Sequence, residues 1–111
     1  MVLNIKEFTK NVIKIIQRIP KGKILTYGAI AKLAGNPQAA RQVSWILHSS
    51  SKKYDLPWHR IINSKGEISL KIKKDKNLQK HLLEKEGIEF KTDYQMELSS
   101  YLWNIKALDE I

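Results

Sequence analysis

The chemically richest residues of the chain sit together at Pro57-Trp58-His59-Arg60, followed by Ile61-Ile62. An indole, an imidazole and a guanidinium stand in three successive positions, yet the chain has no cysteine. That absence removes disulfides, thiolate nucleophiles and zinc–thiolate sites together. His48, His59 and His81 show no metal-ligand spacing and no acidic cluster accompanies them. No glycine-rich phosphate loop occurs, so neither a metal nor another cofactor is expected. Taken singly, Trp58 suits a core ring, Tyr27 a buried ring with a wet hydroxyl, and Arg41 a solvated helix surface. Their meaning depends on the elements that hold them.

Composition bounds the partners. The 111 residues, 42% hydrophobic and 28% charged, suit one globular domain over 1–111. Twenty Lys and Arg against 11 Asp and Glu leave a formal charge of +9, which points to polyanions, with nucleic acid ahead of an anionic membrane. No apolar run approaches the roughly 18 residues of a membrane span. The N-terminus Met1-Val2-Leu3-Asn4 lacks a signal-peptide pattern. An intracellular protein is expected: cytoplasmic, nucleoid-associated in a prokaryote or nuclear in a eukaryote.

Asn4 with Glu7 three residues on is a capping-box-like start, and Phe8, Val12, Ile15, Ile16 and Ile19 recur at helical spacing until Pro20. Thr26 can cap a second helix carrying Tyr27, Ile30, Ala31 and Leu33 and closing at Gly35. Asn36-Pro37 predicts the opening of a third. Ala40, Val43, Ile46 and Leu47 would face inward from it, leaving Gln38, Arg41, Trp45 and His48 outward. Two short helices across a glycine turn on a basic chain read as helix-turn-helix. Arg60-Ile61-Ile62, a turn at Asn63-Ser64-Lys65-Gly66 and Glu67-Ile68-Ser69-Leu70 predict a small β-hairpin. Leu78, Leu82 and Leu83 mark a last helix ending at Gly87. Phe90, Tyr94, Tyr101, Leu102 and Trp103 predict a tail that docks.

Thr26-Tyr27-Gly28, the run Gly35 to Arg41, Pro57-Trp58-His59-Arg60 and Leu83-Glu84-Lys85-Glu86-Gly87, in this order, resemble the DNA-binding domain of the O6-alkylguanine-DNA alkyltransferases over nearly the whole chain. Those enzymes carry Pro-Cys-His-Arg. Tryptophan at the cysteine position is similar to the alkyltransferase-like proteins. The resemblance implies a mostly α fold: a small helical domain with a winged helix-turn-helix-like core and a short β-hairpin. The additional N-terminal domain of the larger transferases is not expected.

It also implies roles. Arg41 would enter the duplex as a finger and Tyr27 would push on the phosphate beside the target, together driving nucleotide flipping. A planar, permanently charged guanidinium suits that insertion. Thr26, Gln38, Ala39 and Ala40 would contact DNA, the alanines through close backbone approach unless they are plain helix formers. Trp58, His59, Ile61 and Lys71 would form the lesion pocket, with the indole against the flipped base. Glu86 would orient His59, or be only a surface charge, and Arg60 would brace the loop. Two departures stand out: Lys71 occupies a position where the alkyltransferase-like proteins often have arginine, and the hinge before Pro57 lacks the transferase asparagine.

The expected function is therefore recognition without repair. The protein would bind O6-alkylguanine in double-stranded DNA from the minor groove as a monomer, transfer no alkyl group, and flag the lesion for nucleotide excision repair proteins. Two rivals remain open: a catalytic dealkylase on the same scaffold, and a helix-turn-helix transcription regulator.

Overall fold

A computed structural model describes residues 4–111. Helix α1 (Ile5–Arg18) starts where the Asn4 side chain accepts the Glu7 N–H at 2.8 Å. It buries Phe8, Val12, Ile15 and Ile16 along one face. Ile19 is extended ahead of Pro20, as sterics demand of a residue preceding proline. The chain then forms strand β1 (Leu25–Thr26) and helix α2 (Tyr27–Leu33), which the Thr26 hydroxyl caps by accepting the Ala29 N–H at 3.0 Å.

Gly35 turns the chain at φ 113°, a left-handed conformation that favours glycine. Helix α3 (Ala40–Ser50) begins later than Asn36-Pro37 predicts. The Asn36 side chain accepts the N–H of Gln38 at 3.1 Å, and its carbonyl accepts that of Ala39. Asn36 therefore closes a turn of its own, and its oxygen is spent there and not on a helix N-terminus. Val43, Ile46 and Leu47 are buried as expected, and Ala40 is half-buried.

The predicted hairpin is corrected. Strand β2 (Ile61–Ile62) pairs in parallel with β1, in the register Leu25 with Ile61 and Thr26 with Ile62. The turn after it does form: the Asn63 side chain accepts the N–H groups of Lys65 and Glu67. The returning segment, however, pairs with the C-terminal tail through Glu67 with Gln95 and the Ile68 N–H to the Tyr94 carbonyl. Ile61 and Ile62 are both buried, and a strand covered on both faces finds its partner inside the core. Because successive strand residues point to opposite faces, Leu25 and Ile61 join one apolar cluster with α1, α2 and α3. Ile24 and Ile62 join the other, with Ile68, Leu83, Ile88 and Met96.

Helix α4 (Lys73–Lys85) follows, and the tail docks as expected. The Trp103 N–H donates to the Ile24 carbonyl at 2.9 Å, and Trp103, Ile105, Leu108 and Ile111 pack on the first cluster. Among the described residues, four α-helices and a two-stranded sheet make a small, mostly α fold in which α2 and α3 form the helix-turn-helix.

Candidate nucleic-acid interface

Pro57 to Arg60 is held by α4. Trp58–Arg60 forms a single 3-10 turn. The Arg60 Nε and Nη2 donate to both oxygens of Glu86, the shortest contact 2.7 Å, while Nη1 donates to the Ile19 carbonyl at 2.9 Å. His59 Nε2 lies 2.7 Å from Glu86 Oε2, and the Gly22 N–H donates to Oε1 at 3.0 Å. Glu86 sits at the C-terminus of α4, where a carboxylate opposes the helix dipole, so its four donors must outweigh that environment. Burial alone would raise the carboxyl. The Arg60 guanidinium, the Gly22 N–H and His59 more than offset it and hold Glu86 at about 2 against an ordinary 4.5. Arg60 thus braces the loop and Glu86 is no mere surface charge.

Gln79 completes this support and was not legible in the sequence. It is the one polar residue buried as a whole among the described residues, and its side chain donates to the His59 and Ile61 carbonyls at 3.1 and 2.9 Å. In the run Asn77-Leu78-Gln79-Lys80-His81 it reads as one more solvated position. Gly22 left a fainter signal, as a glycine inside Lys21-Gly22-Lys23 that must take φ 83°.

Trp58 separates two depressions. On one side lies a cavity of about 290 Å³ lined by Tyr27 and Trp58, by Ser44, Leu47 and His48 from α3 and Ser51 just after it, and by Leu70, Asp75 and Leu78 from around the start of α4. On the other, His59 and Arg60 line a more open hollow of about 440 Å³ with Gln17 and Asp55. The two rings of Trp58 and His59 meet edge to face, 6.1 Å apart at 84°. Of the four predicted pocket residues, only Trp58 lines the 290 Å³ cavity. Ile61 is 1% exposed and belongs to the core, because β-pairing with Leu25 turns it inward. Lys71 is exposed in a bend outside the cavity wall. Ser44, His48, Asp75 and Leu78, which do line it, come from helix faces whose juxtaposition no local pattern encodes.

Tyr27 stands at the first position of α2 and joins the cavity wall; burial raises its phenol, with Ser69 acting in the opposite sense. Thr26 spends its hydroxyl on capping α2. Ala39 is buried in the core while Ala40 is half-buried, so the alanine pair does not present one common surface. Gln38, Arg41, Trp45 and His48 do face outward, Trp45 at 67% exposure one helical turn beyond Arg41. Arg41 makes no ion pair or side-chain hydrogen bond among the described residues. A planar cation and an exposed indole on one helix face, on a chain of charge +9, suit a nucleic-acid groove. Among the described residues no group of acidic and histidine side chains could hold a metal, and no helix is long and apolar enough to cross a membrane.

Residues 7–88 match the family described as the DNA-binding domain of 6-O-methylguanine DNA methyltransferase. The chain is 45% identical over 97 residues to a DNA base-flipping protein of Vibrio parahaemolyticus, covering 87% of this chain and 96% of that one. It is 39% identical over 106 residues to alkyltransferase-like protein 1 of Schizosaccharomyces pombe, covering 91% and 98%. The crystal structure of S. pombe Atl1 in complex with damaged DNA containing O6-carboxymethylguanine superposes with a TM-score of 0.82 at 38% identity, over 93% of this chain and 100% of that one.

Proposed function

The chain belongs to the family of the 6-O-methylguanine DNA methyltransferase DNA-binding domain, and on that premise we propose that it recognises O6-alkylguanine in duplex DNA without repairing it. The α2–α3 unit enters the minor groove, Arg41 fills the space of an extruded nucleotide, and the altered base is received in the cavity beside Trp58. Insertion of this kind bends the duplex. A damaged, poorly paired guanine is cheaper to unstack, which biases the protein toward lesions. The protein acts as a monomer where the DNA is, and the shielded lesion is passed to nucleotide excision repair.

One observation carries the absence of chemistry. Trp58 stands between Pro57 and His59-Arg60 in a chain without cysteine, so no thiolate is present to accept an alkyl group. The 2.7 Å His59–Glu86 pair favours a second reading, in which the imidazole activates water for hydrolytic dealkylation. Both Glu86 oxygens are nevertheless also engaged by Arg60, which ties the same carboxylate to the backbone at the Ile19 carbonyl. The pair therefore supports the loop.

A competition assay at fixed salt between duplexes with and without O6-methylguanine, the methyl group carrying a radiolabel, tests both readings. Preferential binding with the label retained on DNA is expected. Equal affinities remove lesion recognition, loss of label from the DNA makes the protein a dealkylase, and preference for an undamaged sequence makes it a regulator.

A further inference from the structure

We propose that the 290 Å³ cavity selects O6 substituents by charge, admitting neutral alkyl groups and disfavouring those that end in a carboxylate. The inference rests on the reading of this cavity as the seat of the O6-alkylated base, and it goes further by naming the class of adduct. Its physical basis is Asp75. Nine residues line the cavity, and Asp75, exposed in the free protein, is the only carboxylate among them, with no lysine or arginine beside it. Leu47, Leu70 and Leu78 supply an apolar wall.

A chain with 20 basic and 11 acidic residues thus presents a carboxylate, and no lysine or arginine, at the one place where a base would be received. The basic residues near Asp75 in sequence do not cancel it. Lys71, Lys73 and Lys74 are exposed and absent from the cavity wall, free to pair with phosphates. Lys76 is turned away, its ammonium 5.0 Å above the Tyr94 ring. A carboxylate in the first turn of α4 also suits the helix dipole, and Ile72 offers no side-chain cap there. That accounts for an acid at the helix start but not for its place in the cavity wall.

A substituent ending in a second carboxylate would bring two like charges to within several ångströms in a space that DNA closes off from water. At an intermediate effective dielectric this repulsion costs roughly a factor of ten in affinity. Neutral groups meet the same wall without that repulsion. The carboxymethyl adduct in the S. pombe Atl1 complex is of the disfavoured class for this chain.

The test compares two isosteric adducts in one duplex sequence, O6-carboxymethylguanine and its neutral amide, O6-carbamoylmethylguanine, against the unmodified duplex. The full-length protein should bind the amide about tenfold more tightly than the acid. Asp75→Asn should bring the two affinities together, and Asp75→Lys should reverse their order. Binding of the amide adduct by each variant shows that the cavity is intact, and ratios within one protein remove the effect of changed net charge. Equal affinities in the parent, or a preference that persists in Asp75→Asn, would overturn the proposal. Lesion preference for both adducts alike sinks charge selection and leaves lesion recognition standing, whereas no preference for either over unmodified DNA removes both.

Discussion

The clamp around Glu86 and the open face around Arg41 treat charge in opposite ways. In the clamp, the Glu86 side chain is 7% exposed and Arg60, His59 and Gly22 between them engage both its oxygens. Every donor there has its acceptor inside the protein, and Gln79 ties the same loop to α4. On the α3 face, Arg41 and Trp45 are exposed and find no such partner among the described residues. Buried polar groups that satisfy one another fix a shape. Exposed ones left without partners are available to something outside. The contrast assigns Pro57 to Arg60 two jobs: His59 and Arg60 look inward to hold the turn, and Trp58 looks outward into the cavity.

The largest effect expected from breaking this contrast is on the clamp. Glu86→Ala leaves the Arg60 guanidinium largely buried without its partner and should cost about 3 kcal/mol of stability in chemical denaturation. Because the folded state holds the Glu86 carboxyl low, its contribution is full above about pH 4.5 and is lost as pH falls toward about 2. Glu86→Gln should flatten that segment of the stability–pH curve. An unaltered curve would mean that the carboxylate is not what secures the loop.

On the open face the order inverts, with binding lost and stability kept. Arg41→Ala should weaken lesion binding by about 2 kcal/mol, roughly thirtyfold, with the melting temperature unchanged. A parallel loss of stability would place Arg41 with the clamp. Trp58 lies on the boundary, since it packs on the core and lines the cavity. Trp58→Ala should reduce the preference for alkylated over normal guanine by about tenfold, within the range of a base–aromatic contact, and also lower stability by about 1–2 kcal/mol. Titration against both duplexes separates the two effects. The smallest change belongs to Lys71→Ala. Exposed and outside the cavity, Lys71 should affect damaged and undamaged DNA alike and lower the slope of log affinity against log salt by about one. A change confined to the lesion would return Lys71 to the pocket.

Residue patterns and tertiary placement divide unevenly between the two regions. Asn4 and Thr26 announced their helices because a cap is a contact over three residues, and the outward set Gln38, Arg41, Trp45 and His48 followed from helical period alone. Asn36 misled because a side-chain oxygen near a helix start can serve a turn equally well. The strand at Ile61-Ile62 and its turn were both readable, but its partner was not. Choosing between Glu67 six residues on and Leu25 thirty-six residues back depends on what covers both isoleucines.

By itself the sequence determined the helical pattern, the basic balance, the loss of the thiol and the motif that joins Trp58 to His59 and Arg60, all of which are properties of residue type and short spacing. Only the folded chain decided that Gln79 and Gly22 secure the loop, that Ile61 belongs to the core, and that Asp75 shares a cavity with Trp58. These are relations between residues 17 to 64 apart. Such relations are set by which apolar faces bury one another, a collective outcome that no local run of residues carries.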